Sequence, residues 1–150
     1  MKKIIISAAM LFSTFMYSQD MPLQLMESMC KAEVWNSDSS RFEPHSLYWG
    51  CYGLYFGRQN DTMIIAIANT SDTTGTDITY YKVLSYKNMV NMELHWLYRA
   101  IQIDTGKECY IHHWRQQYYD DYNNPFHTYN MVRVDLENYT IRYTDEQKGM

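Results

Sequence analysis

The sequence predicts a mostly β domain: an antiparallel meander of about eight strands, forming a small barrel or a two-sheet sandwich, with a short N-terminal helix. Three observations predict it. Short alternating or β-branched runs recur along the chain. Clusters of Gly, Asn, Asp and Ser separate them at hairpin spacing. Tyrosine, at 15 of 150 residues beside 4 Trp and 5 Phe, suits half-buried strand faces.

The chain opens on Lys2 and Lys3, followed by an uncharged apolar run from Ile4 to Met16. A membrane-crossing helix needs about 20 residues, so this shorter run reads as a secretory signal peptide, residues 1–18, cleaved near Ser18. No cysteine follows it directly, so no lipid anchor is implied. Residues 19–150 then form a single soluble domain, secreted or periplasmic.

Asp20-Met21-Pro22 is a helix-start signal, so Leu23 to Cys30 is expected to form two helical turns. Cys30 to Trp35 alternates as a first strand, ended by the polar turn Asn36–Ser40. Ser46–Phe56 is apolar on both faces, with Gly50 and Gly53 marking a bend or bulge. Gly57–Asp61 turns the chain, Thr62–Asn69 is a buried-type strand and Ile78–Tyr86 another.

Residues 83–101 carry two periodicities. Apolar residues recur at helical spacing, which would give an α+β fold, and they also alternate. Asp104-Thr105-Gly106-Lys107 decides for strands, because a hairpin turn needs one on each side: 92–103 before it and Glu108–Arg115 after it. Gln116–His127 reads as a long polar and aromatic loop. Tyr129–Asp135 and Tyr139–Tyr143 form a last hairpin.

Losing Lys2 and Lys3 leaves eleven basic residues against seventeen acidic, a formal charge of −6. Nucleic-acid binding uses a positive field to neutralise phosphates, so no nucleic acid is expected as partner. Of the three cysteines, Cys51 and Cys109 both fall in strand-like segments, which favours a Cys51–Cys109 disulfide.

The hairpin at 92–115 is the richest candidate surface. With a three-residue turn, Trp96 would face Trp114, Tyr98 would face His112 and Ala100 would face Tyr110. One face would then be an aromatic platform of Trp96, Tyr98, Tyr110, His112 and Trp114, with Tyr118, Tyr119 and Tyr122 of the following loop beside it. Tyrosine and tryptophan rings offer large contact area at low entropic cost, which points to a small apolar or carbohydrate ligand, or a protein partner. The bland reading of the same rings is a cross-strand ladder that only stabilises the sheet.

His112 and His113 are adjacent on a strand and must point to opposite faces. With no His-x-His and no HExxH, no metal or other cofactor is implied. Asp104-Thr105-Gly106 matches the core triplet of aspartic proteases, but a hairpin turn accounts for all three residues. The expected function is a secreted binding module. The alternatives are a small secreted hydrolase centred on His112 or His113 with an acid such as Asp120 or Asp121, and a surface-acting inhibitor or structural protein. No catalytic residue is identified.

Overall fold

The structure is a computed structural model, and it describes residues 20–89, 94–119, 121–123 and 125–145, without the side chains of 117–119 and 125–128. The expected signal peptide 1–18, residues 90–93 and Asp120 lie outside the described residues. All regular structure in the described residues is β. In order the strands are β1 Met21–Met29, β2 Lys31–Asn36, β3 Arg41–Pro44, β4 Tyr52–Gln59, β5 Thr62–Asn69, β6 Ile78–Asn88, β7 His95–Gln102, β8 Glu108–Tyr119, β9 Pro125–Asp135 and β10 Thr140–Thr144. They form one antiparallel sheet in the order β1-β4-β5-β6-β7-β8-β9-β10-β2-β3.

This corrects three expectations. The ladder is open, ending on β1 and β3, so neither a closed barrel nor a pair of sheets is formed. The N-terminal helix is strand β1: its capping signal is local, whereas pairing with β4 from Met21↔Arg58 to Met29↔Tyr52 supplies a full ladder. Two register shifts in that ladder spread its apolar residues in a pattern that is neither alternating nor helical. Strands over 83–101, by contrast, are found as expected in the described residues, as β6 and β7, and the helical alternative falls. Most of the expected loop 116–127 is strand, because β8 runs on to Tyr119 and β9 starts at Pro125. The sequence there lacks the apolar alternation that announces a strand, while the backbone pairs from Gln116↔Tyr129 to Tyr118↔His127.

The sheet coils until strands far apart in the order meet through their inner side chains. Only Cys30 separates β1 from β2, yet these strands pair with β4 and β10 respectively. Tyr52 of β4 packs on Tyr143 of β10 with ring centroids 4.9 Å apart. Leu54, Ile65, Ile111, Val132 and Val134 are fully buried between them and fill the inner side. At about 0.8 kcal/mol per buried methylene, this core is the main term holding the sheet coiled.

The disulfide is Cys30–Cys51, with Cα atoms 3.9 Å apart, in place of the expected Cys51–Cys109. The pairing Met29↔Tyr52 brings the residues flanking both strands together. That proximity cannot be anticipated if β1 is read as helix. Cys109 is free, 2% exposed and part of the core. Burial, and then the charges of Glu108 and Asp135, push its thiol up to about 11, so it behaves as a small hydrophobe. No helix among the described residues is long and apolar enough to cross a membrane. A disulfide is compatible with an oxidising, extracytoplasmic setting.

Candidate functional site

The β7–β8 turn determines what each face of the hairpin carries. Gln102 N–H donates to Lys107 O at 2.8 Å, and Gly106 N–H donates to Gln102 O at 2.8 Å. The turn therefore holds Ile103 to Gly106, one residue more than the expected turn. Trp96 now faces His113, Tyr98 faces Ile111, and Ala100 faces Cys109. The expected platform is split. Trp96 and Tyr98 lie on the inner face, while Tyr110, His112 and Trp114 lie on the outer one. Strand β8 carries the backbones of Tyr118 and Tyr119, and Tyr122 is 86% exposed in the turn that follows.

The outer cluster is a stack of rings tied to ions. His95 faces Trp114 across the ladder, with centroids 4.2 Å apart, and His112 stacks on Trp114 at 5.0 Å. His95 Nε2 and His112 Nδ1 are 3.1 Å apart, so one holds the proton that the other accepts. On its other side His112 Nε2 meets Asp135 Oδ2 at 3.1 Å. Arg133 pairs with the same carboxylate and lies over the Trp114 ring at 5.3 Å. Arg133 also faces Arg142 directly across β9 and β10. Each of these arginines has its own carboxylate, Asp135 for Arg133 and Glu33 for Arg142, which offsets the like-charge contact.

His95 is 4% exposed although it lies on the outer face. Burial first, then the Arg133 charge, hold its imidazole below the usual histidine range. The same two causes lower His112, with Asp135 acting the other way. Both rings are neutral near pH 7. Both nitrogens of His112 are engaged, so the cluster can store and relay a proton but offers no free base on that ring.

The inner cluster differs in kind. His113 is 4% exposed, and neither ring nitrogen has a hydrogen-bond partner among the described residues. Its nearest charge is Glu27 of β1, itself 8% exposed, with Nε2 to Oε1 at 3.5 Å. Arg115 Nε approaches the same oxygen at 3.7 Å from a half-exposed side chain. Aromatic rings wall this pair. Trp96 lies 5.2 Å from His113 and Phe56 6.2 Å edge-on, with Tyr98 beside Phe56 and Tyr86 beside Tyr98. Burial pushes the Tyr98 hydroxyl up to about 12, so it remains a neutral donor.

Strand β10 pairs with β9 from Met131 to Asp135. Just beyond it Asn130 is tied to Asp145, its carbonyl accepting Asp145 N–H at 3.3 Å and its own N–H donating to Asp145 Oδ2 at 2.9 Å. Sequence reasoning placed Trp96, Tyr98 and His112 among candidate residues. It missed Glu27, hidden in an expected helix, and His95 and Asp135, which meet His112 only across two ladders. The chain matches no protein-family model, no curated protein and no solved structure.

Proposed function

We propose that this is a secreted binding module that holds a carbohydrate-class ligand at the inner cluster around Glu27 and His113. A buried polar group without a hydrogen bond costs about 1–3 kcal/mol, and each one in a folded protein calls for a reason. The observation that carries the reading is His113, buried with both ring nitrogens unpaired beside a buried carboxylate. Trp96 and Phe56, both only partly buried, add flat apolar surface, as a sugar ring requires. Glu27, His113 and Arg115 supply the fixed donors and acceptors its hydroxyls require. The hydrolase reading has less support, because His112 is closed on both sides by His95 and Asp135.

The test uses the exported protein. Native mass spectrometry of material purified from its own host should retain a small ligand. A saccharide panel followed by tryptophan fluorescence should give saturable binding that Trp96→Ala and His113→Leu each weaken at least tenfold. A protein that is bare in the spectrometer and silent to every sugar sinks the proposal.

A further inference from the structure

A second site lies on the opposite side of the sheet, and it is independent of the inner cluster. An open groove of about 620 Å³ runs between the start of β1, the end of β4 and the outer faces of β5 and β6. Its walls are Met21, Leu23, Ile64, Tyr80 and Ile103. All but Ile64 are among the exposed large hydrophobics of the molecule. The volume lies within the range of about 300–1,000 Å³ of small-molecule sites. Gly57 lets β1 settle close to β4 here: a Cβ at that position would lie 2.8 Å from Met21 O and 3.1 Å from a Leu23 methyl. The floor is thus set by backbone packing.

The groove also holds charge, and this identifies an occupant. Asp20 is occupied, its Oδ1 accepting Asn60 N–H at 2.7 Å. Arg58 lines the groove as well. None of the ion pairs among the described residues involves it. Every other arginine among them is paired: Arg41 with Glu43, Arg99 with Glu108, Arg115 with Glu27, Arg133 with Asp135 and Arg142 with Glu33. In a domain with excess acid, one guanidinium left unpaired beside an apolar trough is complementary to a molecule with an apolar tail and an anionic head.

We infer that this groove binds a single-chain anionic amphiphile of the long-chain carboxylate class, with the tail along Leu23, Ile64 and Tyr80 and the carboxylate on Arg58. Each methylene buried should raise affinity about fourfold, so octanoate, decanoate and dodecanoate form a ladder.

Isothermal titration of the exported protein with these carboxylates, below their micelle concentrations, tests this. The expected result is affinity rising with chain length, dodecanoate weakened about tenfold by Arg58→Gln, and dodecanol unaffected by that change. Ile103→Glu, at an exposed turn position that folding tolerates, should weaken both. Three results overturn the proposal. One is no dodecanoate binding, or binding indifferent to both substitutions. Another is a dimer in sedimentation that Ile103→Glu dissociates, which gives the groove to a second copy. The last is binding to phosphatidylglycerol vesicles without binding of monomeric dodecanoate, which gives it to a membrane surface.

Discussion

His112 and His113 are neighbours in sequence and opposites in environment. His112, on the outer face, has a partner on each nitrogen, both from strands beside its own: His95 on β7 and Asp135 on β9. His113, on the inner face, has a carboxylate within 3.5 Å but no hydrogen bond, and that carboxylate comes from β1 at the far end of the sheet order. Satisfied polar groups hold a structure in one state, and unsatisfied ones are available to a ligand. The outer histidine therefore serves stability, and the proposed binding rests on the inner one.

The largest expected effect breaks the inner side alone. Glu27 reaches His113 only because β1 is held on β4, and Cys30–Cys51 ties the end of β1 to the start of β4 across a sequence separation of 21. Replacing both cysteines by alanine should cost about 3 kcal/mol, the loop-closure entropy of such a bridge. Chemical denaturation measures this. Ligand binding at the inner cluster should fall with it. The outer cluster, held by the adjacent ladders β7-β8-β9, should keep its acid response. Equal loss of both would show that the two faces are one cooperative unit.

Substitutions at the two histidines sharpen the contrast. His112→Leu leaves His95 Nε2 without its partner, while Asp135 keeps Arg133, and should cost about 1–3 kcal/mol. Replacing Glu27 and His113 together by leucine removes a buried pair that makes no good hydrogen bond, so stability should stay within about 1 kcal/mol of the parent. Binding should be abolished. The same asymmetry predicts a pH dependence. His95 and His112 have folded pKa values below the usual 6.5, so the unfolded chain takes up protons first as pH falls. Stability is then level above about pH 7 and declines as pH drops through 6.5 towards the lowered folded values. His95→Phe should flatten that decline, read as the denaturation midpoint between pH 7.5 and 5. An undiminished decline would assign it to other groups.

Much of this was accessible in the sequence, and the failures have local causes. Adjacency alone sends His112 and His113 to opposite faces, and β-branched runs such as Thr62–Asn69 announce their strand. Three things depend on distant pairing. β1 carries a helix-start signal and bulges that hide its alternation, so the disulfide partner and Glu27 are hidden with it. β3 is four residues, Arg41–Pro44, with a charged and proline-bearing pattern typical of a protected edge. The hairpin register turned on a single residue of turn length, and one residue of slip exchanges the faces of every side chain beyond it.

That last point yields the smallest prediction and the finest test of the comparison. Gly106 has φ +69°, and a Cβ there would meet nothing. Gly106→Ala therefore adds no clash and costs only the left-handed backbone penalty, about 1 kcal/mol. Its N–H to Gln102 O bond closes the four-residue turn, so strain there favours the shorter turn and the alternative register. Such a slip would expel Cys109 and Ile111 from the core and bring Tyr110 and His112 in. Burying a side chain such as Ile111 is worth about 1.5–3 kcal/mol, so the core outweighs the turn. The variant should lose about 1 kcal/mol in denaturation while its acid profile stays unchanged. If that profile vanishes instead, with His112 drawn away from His95 and Asp135, then the turn sets the register and the core only follows.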